Sequence, residues 1–500
     1  MAADGGSAAA PTFQAAQVCA QCKARKKRCD KALPSCGFCA RKNLRCSYMS
    51  PTSRLSAGNS PSPIPSHRAA PLGDDTLSAS TPQTISSEPL ATDAAVYRRV
   101  LNLIRETGRF VDDVTSCYFQ RMHRYLPVVS RTNFHKSLIT LGAIPSSGLS
   151  ALLLSICLVT LPEAEDPSSV ESRSSSEHFY LAAESVLAEI QTLYPPSLQL
   201  IQARLILAVH RYAQGRPTDA FEKIASCARM GYAAHIHFRG HLSPSTIVPA
   251  GSNSLFDRQE AANTWWGMVI CERTFFCDVA VLEQPLITSI PDGQVQIPVE
   301  ADDFERSHDA GSLLISNVPV SSLNRADIGP FGRAAQAIWL LDQAFEAFKN
   351  PDFSSRYLEL DKLSNHLQKL LSMIIQQNLG NFCEVIAITI KALFAIHWHI
   401  LNSLPHLADG QDHHTLLTVG AMTSRSSDVL ATATKLVFDI AEAHKNPSST
   451  PPSYSYSYIV RASLKHIHMN TEWEKDTWIR NAESRFRNSL DKYSHQHHAR

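Results

Sequence analysis

The sequence predicts a mainly α-helical protein in which a small cysteine-rich domain, a flexible linker and a large all-α domain follow one another. Six of the 12 cysteines lie between Cys19 and Cys46, and residues 47–95 contain 11 Ser and 7 Pro. From Val96 onward, apolar residues recur at three- and four-residue steps, the period of an amphipathic helix. The expected layout is a disordered tail 1–18, a cysteine-rich domain 19–46, a linker 47–95, an all-α domain 96–446 and a C-terminal region 447–500.

The composition favours a folded, intracellular protein. With 44% hydrophobic residues among 500, the chain can bury a large core, which excludes a wholly disordered class. The opening residues lack the basic and apolar segments of a secretory signal. The most apolar stretch, Val385 to Leu404, contains Lys391 and two histidines. We therefore expect a buried bundle helix there and no membrane partner.

The cysteine-rich domain consists of two copies of the pattern C-x2-C-x6-C. Three thiolates of each copy can close on one metal ion, whereas a structural zinc site requires four ligands. Two zinc ions need eight ligand positions from six sulfurs, and the deficit is met if two thiolates each bridge both ions. The predicted zinc ligands are Cys19, Cys22, Cys29, Cys36, Cys39 and Cys46.

Other uses of these cysteines fit the pattern less well. An intracellular compartment keeps cysteines reduced, which argues against disulfides. An ordinary zinc ribbon needs four cysteines and leaves two unexplained, and a redox C-x-x-C is expected near a βαβ unit, which the sequence does not predict.

Basic residues concentrate inside the same block. Five of the six residues between Cys22 and Cys29 are Lys or Arg, and the matching segment 40–45 has three. Such a cluster attracts phosphates, and Lys or Arg can donate to guanine in the major groove. It can also serve as a nuclear localisation signal, which is compatible with binding double-stranded DNA. The predicted DNA-contacting residues are Lys23, Arg25, Lys26, Lys27, Arg28, Arg41 and Lys42.

The stretch from Cys19 to Cys46 resembles the binuclear cluster of the fungal Zn₂Cys₆ transcription factors. The resemblance implies two zinc ions per chain, bridged by the first cysteine of each half, Cys19 and Cys36. It implies the remaining ligands in pairs: Cys22 and Cys29 on one ion, Cys39 and Cys46 on the other. It also places Arg25 and Lys26 at base edges, with Lys26 as the usual reader of a CGG triplet.

The resemblance is incomplete after the cluster, where many members of this family dimerise through a coiled coil. Residues 47–95 contain no heptad run of apolar residues. A monomer on one triplet and a homodimer formed through the helical domain both remain open.

Segments 118–134, 228–237 and 260–273 resemble the helical regulatory region of the same factors, the fungal-specific transcription factor (middle homology) domain. Trp265, Trp266 and Arg273 suit either the core or a pocket for an acidic effector. We expect them in the core, with Arg273 paired to a carboxylate such as Glu260 or Asp278.

The expected function is a nuclear, sequence-specific RNA polymerase II transcription regulator that works with the transcription machinery or coactivators. Family resemblance favours an activator, with a secondary-metabolite gene cluster as its target. The alternatives are a repressor, a zinc-dependent protein adaptor and a regulator of nutrient catabolism. An enzyme is not expected because the sequence contains no G-x-S-x-G, P-loop, G-x-G-x-x-G or H-E-x-x-H motif.

The formal net charge of +1 conceals a strong asymmetry. Nine Lys/Arg and one Asp give the segment 19–46 a charge of +8, so the remainder carries −7. The sequence therefore predicts a cationic DNA reader attached to a mildly acidic helical body.

Overall fold

The computed structural model divides the chain into two compact units, Met1–Ser86 and Ser87–Arg500. In the first unit, called the cysteine unit below, it describes residues 18–19, 22–23, 25, 27–32, 36–42 and 46. In the second, the helical unit, it describes residues 92–139, 144–161, 170–237, 255–279, 284–303, 305, 318–377, 382–404, 413–444, 453–469 and 477–498. The predicted tail 1–18 and linker 47–95 lie almost entirely outside the described residues, and both remain predictions.

The described part of the chain is mainly α-helical, as the sequence predicts. Among the described residues of the cysteine unit, Gly37–Arg41 form the helix α1. The helices of the helical unit are α2 (Asp93–Glu106), α3 (Val111–Gln120), α4 (Arg131–Ile139), α5 (Ser147–Val159), α6 (Val170–Leu193), α7 (Leu198–Ala213), α8 (Pro217–Ala233), α9 (Leu255–Phe276), α10 (Pro330–Phe348), α11 (Phe353–Gln377), α12 (Cys383–Ser403), α13 (His413–Ala443), α14 (Tyr456–Met469) and α15 (Thr477–His498).

Local signals set the ends of α7 and α8. The Ser197 hydroxyl accepts a hydrogen bond from the Leu200 amide at 3.2 Å, which caps the first turn of α7. Gly215 follows the C-terminal end of α7 with a φ of 77°, a left-handed conformation that glycine adopts without strain. Pro217 then occupies the first turn of α8, where its missing amide hydrogen costs nothing. Both helices bury their apolar faces in the common core.

Helix α12 lies inside the helical unit. Among the described residues it is the helix with the length and composition of a membrane span, and 72% of its apolar window is buried by the rest of the protein. Its side chains pack with α10, α11 and α13. This placement agrees with the predicted bundle helix.

A buried polar cluster joins α12 to three other helices. The Lys391 ammonium of α12 donates to the Asp278 carboxylate and to the carbonyl of Thr274, the latter at 2.9 Å. Tyr212 of α7 donates to the same carboxylate at 2.6 Å, and its ring stacks on Tyr458 of α14 with centroids 4.3 Å apart. The Tyr458 hydroxyl donates to the Tyr212 carbonyl at 2.9 Å. The charge of Lys391 is therefore buried together with a partner.

The structure changes the prediction for Arg273. The guanidinium is 2% exposed and donates to Glu272 and Asp342, each at 2.9 Å, and to the carbonyl of Thr288 at 2.9 Å. Asp278 pairs instead with Lys391, and Glu260 accepts from the Ser130 amide and the Gln202 amide nitrogen. The predicted partners of Arg273 were wrong, although its structural pairing with carboxylates was right.

Trp265 and Trp266 lie in the core, as expected. Each is 6% exposed. The Trp266 indole donates to the carbonyl of Gln296 at 3.0 Å. The rings of Trp265 and Tyr232 form an edge-to-face pair with their centroids 5.1 Å apart. These contacts satisfy the polar edge of one indole and bury the other against an aromatic ring.

Two segments adopt structures that their local sequence patterns do not indicate. The Ser453–Tyr458 run has the composition of a loop, yet α14 begins at Tyr456. Tyr456 and Tyr458 are buried, and the Ser455 hydroxyl donates to Glu384 at 2.7 Å, so tertiary contacts outweigh the local preference. Segment 295–297 alternates like a strand, but within the described ranges it forms only an isolated bridge between Gln296 and Pro319.

Two helical glycines should respond oppositely to alanine. A Cβ atom on Gly267 of α9 would lie 2.7 Å from Val128 Cγ1 and 3.1 Å from Leu126 Cδ1, so we expect Gly267→Ala to destabilise the helical unit by about 1–3 kcal/mol. Gly420 of α13 is exposed and has no atom within 4 Å of that position, so Gly420→Ala should stabilise it by up to about 1 kcal/mol. Thermal unfolding measures both. A melting temperature of Gly267→Ala equal to that of the parent protein would contradict the close contact at Gly267.

Candidate metal centre and nucleic-acid interface

Four thiols of the cysteine unit converge on one point. The sulfurs of Cys19, Cys22, Cys36 and Cys39 lie within 4.8 Å of one another, and all four side chains are buried. The Sγ atoms of Cys19 and Cys36 are 3.7 Å apart. A tetrahedral zinc ion with Zn–S bonds of about 2.3 Å holds its sulfurs about 3.8 Å apart. The spacing of the thiols therefore fits a zinc ion, and each of these cysteines is free of a disulfide.

The sulfurs of Cys19 and Cys36 contact each other, and each contacts one further sulfur of the opposite half. The Cys19 sulfur lies 3.7 Å from that of Cys39 in the second half. The Cys36 sulfur lies 3.6 Å from that of Cys22 in the first half. This arrangement places the first cysteine of each half in the middle of the sulfur cluster.

The backbone repeats in the two halves. The Cys22 amide donates to the Cys19 sulfur, and the Cys39 amide donates to the Cys36 sulfur, both at 3.4 Å. In the second half, this bond caps the N-terminal end of α1. The amide of Cys36 also donates to the sulfur of Cys46 at 3.4 Å. Amide donors in these positions would stabilise the negative charge that the sulfurs carry as metal ligands.

The third cysteine of the first half lies at the margin of the cluster. Cys29 is half-buried, and its sulfur groups with Cys36 and the Asp30 carboxylate within 4.8 Å. A hydrogen bond from the Cys19 backbone lowers the pKa of Cys29 to about 7. Burial raises the pKa of Cys39 to about 12 and also raises the pKa of Cys22. A metal ion binds deprotonated thiolates, so metal binding at Cys22 and Cys39 would release protons.

Asp30 is a positioning residue that the sequence-based reasoning missed. Both of its carboxylate oxygens lie 3.0 Å from the Gly37 amide, and one accepts from the Ala32 amide at 3.4 Å. A Cβ on Gly37 would come within 2.6 Å of this carboxylate. Asp30 thus ties the turn after Cys29 to the first residue of α1. The sequence marks Asp30 only as the single acidic residue in the basic segment 19–46.

The predicted DNA-contacting side chains are exposed wherever the structure describes them. They form no ion pair with a carboxylate in the described ranges. Lys26 lies outside the described residues. The exposed cations are Lys23, Arg25, Lys27 and Arg28 in the first half and Arg41 and Lys42 in the second. Uncompensated cations beside a buried thiol cluster provide the electrostatic surface that phosphate binding requires.

Comparison with known proteins agrees with this geometry. Residues 17–55 match the fungal Zn(2)-Cys(6) binuclear cluster domain, and residues 115–405 match the fungal specific transcription factor domain. Transcription factor BOA15 of Botryotinia fuckeliana (strain B05.10) is 24% identical to this chain over 127 residues, which cover 25% of this chain and 68% of that protein.

One match falls in each unit of the chain, and both families are transcription factor families. The thiol spacing, the free cysteines and the domain match agree on a centre for two zinc ions. The chain therefore belongs to the fungal Zn₂Cys₆ transcription factor family and is a transcription regulator with a zinc-cluster DNA-binding domain.

Proposed function

We propose that the protein is a nuclear, sequence-specific transcription activator that reads CGG-type triplets through its binuclear zinc cluster. The observation that carries the proposal is the set of exposed, unpaired Lys and Arg side chains on both halves of a buried thiol cluster. Such a surface attracts duplex DNA, while the rigid metal centre fixes the direction in which its side chains project.

The proposed zinc ligands are the six cysteines of the repeat. Cys19 and Cys36 bridge the two ions, which is supported by their sulfur contacts across the halves at 3.6–3.7 Å. The proposed pairs of terminal ligands are Cys22 with Cys29 and Cys39 with Cys46. Zinc supplies the folding energy of this small unit, and the protein supplies thiolates and the amide donors that stabilise them.

The DNA contacts are proposed to divide between bases and phosphates. Lys26 and Arg25 follow the second cysteine and would donate to guanine O6 and N7 in the major groove. The remaining cations position the domain on the backbone and carry no sequence information themselves. The proposed phosphate contacts are Lys23, Lys27, Arg28, Arg41 and Lys42.

The finer biological assignments rest on family resemblance. They comprise activation through coactivators or the transcription machinery, a secondary-metabolite gene cluster as the target, and a regulatory role for residues 96–446. A homodimer and a monomer on a single triplet remain distinct outcomes. Genome-wide occupancy of the protein, compared with expression in a deletion strain, tests target and direction together. Bound genes whose expression rises after deletion would contradict an activator.

Alanine at Lys26 should remove sequence preference. We expect Lys26→Ala to weaken binding to a CGG site by about 1–3 kcal/mol while binding to a scrambled site changes much less. Lys42→Ala is the matched control, because loss of a phosphate contact should weaken both sites equally and reduce the salt slope by about one. Titrations by fluorescence anisotropy at several salt concentrations measure both effects. An equal loss on the two sites for Lys26→Ala would make Lys26 a phosphate contact.

A further inference from the structure

A cleft of about 690 Å³ lies between α10 and α11 in the helical unit. Its apolar lining residues include Leu323 of the loop before α10, Trp339 of α10 and Leu358 of α11. Leu358 is 56% exposed, and Trp339 is half-buried. A volume of this size is typical of small-molecule sites, whose walls are largely apolar with a few polar groups that orient the ligand.

Helix α11 also gives the cleft a basic edge, which begins one turn after Leu358. Lys362, His366 and Lys369 follow one another on successive turns of α11 and all line the cleft. All three side chains are exposed, and neither lysine forms an ion pair in the part of the chain that the structure describes. Asp361, which lies on the same helix, is paired with Arg425 at 2.8 Å. Only Glu359 among the cleft residues carries a negative charge, so the basic edge keeps a net positive charge.

The loop that contributes Ser321 and Leu323 to the cleft is held by a buried cation, Arg333. Arg333 is 0% exposed and donates to the carbonyls of Leu323, at 3.0 Å, and Arg325. Gln336 donates to the carbonyl of Ser322 at 3.0 Å. These hydrogen bonds from a buried guanidinium and a buried amide fix the backbone of the loop that lines the cleft.

Trp339, the aromatic residue of the cleft, is held in place by close packing. A Cβ on Gly293 would lie 3.1 Å from the Trp339 ring and 3.2 Å from Ser321 Cβ, so this glycine allows the chain to pack directly against both. The Ser321 amide donates to the Gly293 carbonyl at 3.2 Å. The cleft is thus formed before any ligand arrives, which reduces the entropy lost on binding.

From these observations we propose that the α10–α11 cleft binds a small anionic amphiphile, an aromatic or alkyl compound with one carboxylate or sulfonate group. Its apolar part lies against Trp339 and Leu358, and its anionic group lies between Lys362 and Lys369. Apolar and basic side chains line the same cleft, which matches a ligand with the same two parts. This binding goes beyond DNA recognition, and it can be measured in the absence of DNA.

The test compares two fluorescent probes that share one ring system, anionic 8-anilinonaphthalene-1-sulfonate and neutral N-phenyl-1-naphthylamine. Each is titrated into the full-length, zinc-loaded protein. We expect one sulfonate site per chain, weakened about tenfold by Lys362→Gln/Lys369→Gln because two exposed charge contacts are lost. The neutral probe should bind this variant as it binds the parent protein. Leu358→Gln should weaken both probes, since it removes apolar contact from the same cleft.

The matched control removes two lysines elsewhere, in Lys349→Gln/Lys435→Gln, which changes the net charge by the same amount. Lys349 is already paired with Glu346 at 2.6 Å, and Lys435 lies on α13. The control should keep parental affinity for the sulfonate. The proposal is wrong if the control weakens the sulfonate as much as the cleft variant does, or if the cleft variant retains parental affinity. All substituted side chains are exposed, so thermal unfolding should show each variant to be folded.

Discussion

Replacement of Cys36 by alanine is expected to release both zinc ions and abolish DNA binding. The Cys36 sulfur lies within 3.7 Å of the sulfurs of Cys19 and Cys22, and it caps α1. If Cys36 bridges the two ions, its loss removes a ligand from each. Structural zinc contributes about 10–16 kcal/mol to the folding of small zinc domains, so the cysteine unit should unfold without it. Native mass spectrometry counts the ions, and anisotropy with a CGG duplex measures binding.

The terminal ligands provide the comparison that separates bridging from simple ligation. Cys46→Ala removes one ligand from one proposed ion, so at least part of the protein should retain a single zinc. Cys117→Ala changes a half-buried cysteine of α3 in the helical unit and should retain two. If Cys36→Ala and Cys46→Ala lose the same amount of zinc, the bridging role of Cys36 is contradicted.

Replacement of Arg273 by alanine is expected to destabilise the helical unit by about 3–5 kcal/mol. The guanidinium is the common partner of two carboxylates, from Glu272 beside it and Asp342 of α10. Without it, the Glu272 carboxylate, which is 0% exposed, loses its charged partner while remaining buried. The penalty is large because a carboxylate in the protein interior cannot recover its hydration.

Urea unfolding followed by circular dichroism measures this loss as a lower midpoint. Lys349→Ala is the control, since its ion pair with Glu346 is 70% and 68% exposed and should contribute no more than about 1 kcal/mol. A midpoint for Arg273→Ala close to that of Lys349→Ala would mean that the hydrogen bonds from Ile287 and Thr288 satisfy Glu272 without the arginine.

The zinc centre could be predicted from the sequence because the cysteines that form it are close together in the chain. Six cysteines within 28 positions leave few ways to satisfy a metal ion, and short turns bring the sulfurs together. The role of Asp30 was less visible. Its bond to the Gly37 amide crosses the interval between the third and fourth cysteines, whose path depends on the left-handed conformation of Lys31, with a φ of 59°. A residue spacing does not specify that backbone conformation.

The partners of Arg273 show which contacts of the helical unit the sequence pattern does not determine. Periodicity identifies a buried helix and therefore a buried arginine that needs a carboxylate. It does not identify Asp342, which comes from another helix 69 residues away. It also disfavours Glu272, because adjacent side chains on a helix point in different directions. Here the Thr288 amide donates to the Glu272 carboxylate and the Thr288 carbonyl accepts from the Arg273 guanidinium, so Thr288 brings the two neighbours together.

The stacking of Tyr458 on Tyr212 has a practical consequence for where the chain can be divided. The match to the fungal specific transcription factor domain ends at residue 405, whereas Tyr458 belongs to α14, after that boundary. A protein ending at residue 405 would lose the ring that covers Tyr212 and the hydroxyl that satisfies its carbonyl. It would also open the surroundings of the Lys391 ammonium to water. The smallest stable fragment of the helical unit is thus longer than its family signature and includes α14.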